Sequence, residues 1–238
     1  MDLFTRASGL MTLAIELITG VRLLALAMKT RRLPETALGV AFTCGAGTNA
    51  WFLIAALLFP EAPPEIEIAL WGLSYLGLTM SLYIGVWRVF RPTSVVVRTI
   101  GFLLAATLTV LLVTELAGIN RAFYQGVWNG LYDEVQAYAI TATMAWAGIE
   151  SALYYRDLRR QIALGLSENV FAARFRLWSY ASVAWVLFHV FLFSRRHGLL
   201  SLEFARPTMT LLALIGSVLI YVTFLPPDWL QRRWSSEP

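Results

Sequence analysis

Apolar positions run through this chain in long blocks, with charged or proline-bearing breaks between them. Seven apolar stretches stand out, at about residues 8–28, 36–59, 67–90, 97–119, 133–155, 174–194 and 208–225. The clearest breaks are Lys29-Thr30-Arg31-Arg32-Leu33-Pro34-Glu35, Pro60-Glu61-Ala62-Pro63-Pro64-Glu65, Arg91-Pro92-Thr93 and Pro226-Pro227. Proline cannot continue the helical hydrogen-bond ladder, so it belongs just beyond a helix end. Each stretch is long enough to cross a hydrocarbon core as a helix of ~20 residues. In lipid the backbone amides must bond within their own segment, which makes these runs helices. A β-barrel would need alternating ten-residue segments, and the pattern has none.

Composition sharpens this reading. The chain has 238 residues, 58% hydrophobic and 14% charged, with a mean hydropathy of +0.64. Soluble domains average nearer ~45–50% apolar and ~25% charged. These values exclude a water-soluble globule, a disordered chain and a nucleic-acid-binding module. The expected fold class is an all-α, polytopic membrane bundle forming one domain over residues 1–238, with no ~100-residue soluble domain beside it. Met1-Asp2-Leu3-Phe4-Thr5-Arg6 lacks a basic region followed by a cleavage site, so the first apolar run reads as a retained span.

The charge pattern supplies an orientation. The net charge is +4 and the pI about 9.5, which in a membrane protein reflects basic residues gathered on cytoplasmic loops. With the N-terminus outside, thirteen Lys and Arg fall on cytoplasmic segments: Lys29, Arg31, Arg32, Arg88, Arg91, Arg98, Arg156, Arg159, Arg160, Arg174, Arg176, Arg232 and Arg233. Five fall outside (Arg6, Arg121, Arg195, Arg196 and Arg206), and Arg22 lies inside the first span. This asymmetry predicts seven spans, N-out and C-in. Arg195-Arg196 conflicts with it, and a re-entrant or interfacial segment near 195–207 would remove the conflict. The longest inner loop is expected at 157–173, with Ser167 as an N-cap ahead of the sixth span. The tail at 227–238, with Trp229, Trp234, Arg232 and Arg233, reads as an interfacial anchor.

Three runs at cytoplasmic helix ends resemble uncharacterised bacterial seven-helix integral membrane proteins. They are Arg22-Leu23-Leu24 leading to Thr30-Arg31-Arg32-Leu33-Pro34-Glu35, then Trp87-Arg88-Val89-Phe90-Arg91-Pro92, then Leu164-Gly165-Leu166 running to Arg174-Phe175-Arg176-Leu177-Trp178. The resemblance implies a bacterial inner membrane and no particular activity.

Ionisable groups inside spans are costly, so each is a functional candidate by default. Arg22 lies ~21 Å below the outer start of the first span, and Glu150 at a similar depth in the fifth, where the two could pair. Glu16 lies ~12 Å in, while Glu115 and His189 lie ~6–8 Å from the outer ends of their spans; these three could share a pocket rimmed by Asp133 and Glu134. Gln136, Thr143, Glu150 and Asp157 recur every seven residues, which keeps them near one helix face. That stripe is either interhelical hydrogen-bond glue or the wall of a polar path. His189 shares a face with Trp178, Ser182 and Trp185, a pattern more typical of packed core than of a ligand. In the second span, Thr43-Cys44-Gly45-Ala46-Gly47-Thr48-Asn49 predicts a tight crossing in which Asn49 needs a partner. Ser74, Gly77, Ser81 and Gly85 form a matching seam on the third span.

Candidate chemistry narrows the function classes. One cysteine (Cys44) and two histidines (His189 and His197) leave no ligand set for a closed zinc or iron–sulfur site. A bis-histidine haem would need a second histidine within a span. A retinal Schiff base would need a buried lysine, and the only lysine, Lys29, lies in a loop. No cofactor and no metal are expected, and no nucleophile–base pair or phosphate loop appears. The favoured reading is a non-enzymatic sensor-like or accessory membrane subunit. Its bundle would bind a small or lipidic ligand or a partner protein, with Glu16, Arg22, Asn49, Glu115, Gln136, Thr143, Glu150 and His189 as candidate residues. Its basic surface of Arg156, Arg159, Arg160, Arg174 and Arg176 would face an effector or anionic lipid. A small transporter or channel along the first and fifth spans is the second reading. A membrane enzyme with an acidic site at Glu16 and Glu115 is the third.

Overall fold

The computed structural model describes residues 3–50, 64–118, 130–166 and 169–236. Among them are eight helices and no strand: α1 Leu3–Thr30, α2 Leu33–Ala50, α3 Pro64–Phe90, α4 Val95–Leu116, α5 Leu131–Ala163, α6 Asn169–Arg196, α7 Leu202–Phe224 and α8 Asp228–Ser236. Five apolar segments are long enough to cross a membrane: Ala7–Thr30, Ala69–Phe90, Val95–Leu116, Asn169–Arg196 and Glu203–Phe224. The second expected stretch, 36–59, lies partly outside the described residues, as do the Ser167 cap and the break at 60–63. The fifth, 133–155, is helical throughout, and its acidic and amide side chains lower its apolar character.

Proline explains several helix starts. Pro34 sits in the first turn of α2, where its missing N–H has no intrahelical role, so α2 begins at Leu33 rather than beyond the break. α7 begins at Leu202 and carries Pro207 within it. Ser94 caps α4 by accepting from the Val97 amide at 3.3 Å. The expected inner loop at 157–173 is corrected by the structure: α5 continues to Ala163. Arg156, Leu158, Arg159, Arg160 and Gln161 are all good helix formers, and the helix stops only where Gly165 turns left-handed at φ 71°. There Leu166 N–H reaches the Gln161 carbonyl at 2.9 Å, which closes the cap. The same device at Gly198 ends α6, so residues 197–201 form a tight turn ahead of α7.

The helices wear their apolar side chains outward. On α4, Val95, Val96, Ile100, Phe102, Leu103, Val110 and Val113 are all exposed, while Glu16, Thr19, Thr79, Gln136, Thr143, Glu150, Ser151, Ser182 and His189 are buried. A largely apolar core remains, with Leu23, Leu38, Phe42, Val86 and Leu108 buried, but so many apolar side chains outside and so many polar groups inside fit a multi-pass membrane protein, whose solvent is hydrocarbon.

The chain divides into two compact units, one of residues 16–143 and one of residues 1–15 with 144–238. In the first, α3 packs along α2 and against α4. The crossings are set by small residues. A β-carbon on Gly20 would lie 2.5 Å from Thr43 Oγ1 and 2.8 Å from the Thr43 amide nitrogen, so α1 and α2 meet backbone to backbone. The seam on α3 faces α2: Gly77 receives the Cys44 sulfur, Gly85 receives Leu38, and Ser74 lies by Gly47. In the second unit, α6 runs along α7, and α8 packs on α6. Gly148 of α5 admits Ser182 of α6, and Gly216 of α7 admits the Trp185 indole. Tyr154, Phe175, Trp178 and Phe224 form a connected aromatic group, with ring centroids 5.3–6.4 Å apart.

Gly20→Ala should therefore destabilise the protein by about 1–3 kcal/mol, because backbone rather than a movable side chain blocks the new methyl. Gly47→Ala, whose β-carbon would meet Ser74 Oγ at an ordinary 3.5 Å, should change stability by less than about 0.5 kcal/mol. Thermal melts of the purified variants in detergent test both.

Candidate functional site

In the unit of residues 16–143, Asn49 finds its partner. Its side-chain nitrogen donates to Glu16 Oε2 at 2.7 Å, linking α1 to α2. Glu16 is only 7% exposed. Its carboxyl lies over Gly45, where a β-carbon would come within 3.3 Å of Oε2. Gly45 and Asn49 are four residues apart and so share one face of α2. The glycine leaves room for the carboxyl group, and the amide one turn on holds it.

A second polar group ties α5 to α3. The Gln136 side chain is completely buried. Its Nε2 donates to the Tyr75 carbonyl at 2.5 Å and to Thr79 Oγ1 at 2.6 Å. One turn earlier, the buried Tyr132 hydroxyl donates to the Gly72 carbonyl at 2.6 Å. Tyr132 also sets its ring edge-on to Trp71, 6.2 Å between centroids. A helix carbonyl has a second lone pair after its own i+4 bond, so α3 can accept these donors without losing its ladder. Tyr75 O can only accept, which fixes the Gln136 amide with Nε2 toward α3. Oε1 is left buried with no hydrogen-bond partner.

The Glu115 side chain lies at the start of α5. Its carboxyl lies against Gly130, in the space a β-carbon would occupy. Gly130 immediately precedes α5, whose first turn also carries Asp133 and Glu134. The N-terminal amides of a helix and its dipole favour negative charge there. Thr143 is buried and returns its hydroxyl to its own helix, donating to the Ala139 carbonyl at 2.8 Å.

In the other unit, Glu150 is buried and accepts from Trp146 Nε1 at 3.2 Å, one turn back on α5. Asp157, the last member of the seven-residue stripe, is exposed beyond the buried part of α5. His189 is 3% exposed. Its Nδ1 lies 2.8 Å from the Trp185 carbonyl. A carbonyl only accepts, so Nδ1 carries the proton. Phe188 and Phe193 pack around the imidazole at 5.2 and 6.5 Å, which is the packed-core environment expected of it. Arg156, Arg159 and Arg160 are exposed on the extension of α5, and Asp157 lies 3.8 and 3.9 Å from Arg156 and Arg160. Arg174 is half-buried near the start of α6, and Arg176 sits 5.9 Å from the Tyr155 ring centre.

Sequence spacing thus placed the right residue types inside, and the structure adds the contacts they make. Glu16 meets Asn49, Glu115 lies against Gly130, Glu150 accepts from Trp146, and His189 packs between Phe188 and Phe193. Tyr132, Tyr75, Thr79 and Trp146 were missed; the four-residue spacing of Tyr132 and Gln136 was the available signal. Among the described residues, no three His, Cys, Asp or Glu side chains come together as a metal site. Comparison with protein-family models, curated proteins and solved structures finds no match to this chain.

Removing the Tyr132 hydroxyl (Tyr132→Phe) should cost about 1 kcal/mol, and Gln136→Leu about 1–2 kcal/mol. Melting in detergent reads both. If neither variant moves the midpoint, these groups do not tie α5 to α3.

Proposed function

We propose that this chain is a seven-span bacterial inner-membrane protein, N-out and C-in, acting as a non-enzymatic sensor-like or accessory subunit. In this reading the second apolar stretch of the sequence and α5 are spans as well, adding two crossings to the five apolar segments. The observation that carries the functional part is the buried Glu16 carboxyl, bonded to Asn49 over Gly45. Ionisable groups in membrane spans are expensive, and they recur where a protein binds something within its bundle. The ligand class that suits this site is a small or lipidic molecule carrying a hydrogen-bond donor or a positive charge for Glu16. The alternative is a small transporter, favoured by the buried positions Gln136, Thr143 and Glu150 at seven-residue spacing on α5.

Native mass spectrometry of the protein extracted gently from its own membrane tests the proposal. Wild type should retain a small molecule or partner chain that Glu16→Gln loses while still folding. A bare wild-type monomer, together with proteoliposome flux that Glu150→Gln abolishes, would replace this reading with the transporter.

A further inference from the structure

We propose that the arginine-rich end of the second unit, with α8 lying across it, is a binding surface for anionic phospholipid. The proposal rests on the multi-pass reading and adds to it a lipid class and a site.

The geometry begins with the tether. α7 ends at Phe224 and α8 starts at Asp228. The three residues between them reach at most ~10 Å. The headgroup layer on each side of a bilayer is ~5–8 Å deep, so α8 cannot leave it by much. The start of α8 is also held back toward the span: Gln231 Nε2 donates to the Pro226 carbonyl at 3.0 Å, and the Leu230 and Gln231 amides donate to Pro227 O.

The faces of α8 are sharply sorted. Trp234 is buried and Leu230 half-buried, on the side that packs against α6. Asp228, Gln231, Arg232 and Ser235, at i, i+3, i+4 and i+7, line an open groove of about 620 Å³. Between these two faces stand Arg233 and Trp229, the indole 61% exposed. A tryptophan left outside at this depth is what a headgroup layer accommodates: its apolar ring meets acyl chain and its N–H meets water or ester.

Other basic groups gather at the same end. Phe224 contacts Trp178 at 5.4 Å, and Phe175 contacts Tyr154 at 5.3 Å. These contacts bring the end of α7, the start of α6 and the extension of α5 together. Arg174 and Arg176 of α6 and Arg159 of α5 therefore join Arg232 and Arg233. Asp157 lies near Arg156 and Arg160. Arg174 buries its Nε with no hydrogen-bond acceptor. Arginine at this end of the unit, with Arg232 in the groove itself, suits a phosphate diester, which offers paired acceptor oxygens. Asp228 on the groove rim disfavours a dianion and leaves room for a singly charged headgroup such as phosphatidylglycerol.

The full chain reconstituted in mixed POPC/POPG vesicles tests this. Wild type should retain POPG over POPC in native mass spectra after extraction, and added salt should reduce the preference. Each arginine near an anionic surface is worth about a fivefold change in lipid partition, so Arg232→Gln/Arg233→Gln should lower the POPG preference by roughly tenfold or more. Bromine-labelled lipid should quench the fluorescence of wild type more than that of Trp229→Phe. Because the paired arginine variant touches only the exposed helix, a separate Arg174→Lys variant reports on the buried contact, and it should bind POPG less without a lower melting point in POPC. Equal retention of POPG and POPC by wild type, or an unchanged preference in Arg232→Gln/Arg233→Gln, would overturn the proposal. Loss of the chain from the membrane fraction on alkaline washing would instead overturn the multi-pass reading beneath it.

Discussion

Hydrocarbon offers no hydrogen bonds. A carboxyl, amide or hydroxyl carried into it must find a partner within the protein or sit uncompensated at several kcal/mol. Most of the organisation of this chain answers to that constraint. Glu16 is met by Asn49, Gln136 and Tyr132 are met by the carbonyls of α3, and Thr143 is met by its own helix. Apolar side chains, which soluble proteins bury, are left on the outside because the outside is also apolar.

The constraint explains why small and long side chains occur together. Lipid provides no hydrophobic force to press helix on helix, so close approach and polar ties must do it. Glycines at 20, 45, 77 and 85 bring backbones or large partners together. Long polar groups then span what the glycines bring close. At Gly45 the two devices coincide, since the missing side chain leaves room for the Glu16 carboxyl close above the α2 backbone. There a buried carboxyl, its amide partner and a glycine come together, and it is why the functional reading centres there.

Much of this was legible before any coordinates, for a physical reason. The hydrocarbon thickness and the backbone's need for internal bonds act on every span, so block hydropathy alone locates the helices. Likewise, Ser74, Gly77 and Gly85 announced a seam, because small residues at helical spacing have few other uses. Boundaries were less legible where two rules competed. Pro34 looks like a stop but is tolerated in a first turn, and the charged run after Tyr155 looks like a loop but consists of strong helix formers. Partner choice was least legible. Glu16 and Asn49 are thirty-three residues apart in sequence, and depth along a span says nothing about direction around it. Depth therefore groups Glu16, Glu115 and His189, but it could not say that Glu115 lies against Gly130 at the start of α5 or that His189 packs against Phe188.

The Glu16–Asn49 bond is a mutual dependence, in which each group compensates for the burial of the other. A double-mutant cycle on stability in lipid or mild detergent, using Glu16→Leu, Asn49→Leu and the pair together, measures that dependence directly. Each single change should destabilise by about 1–3 kcal/mol by leaving a buried group without its partner. The double variant should lose clearly less than the sum, with a coupling of at least about 0.5 kcal/mol. Strict additivity would contradict the account.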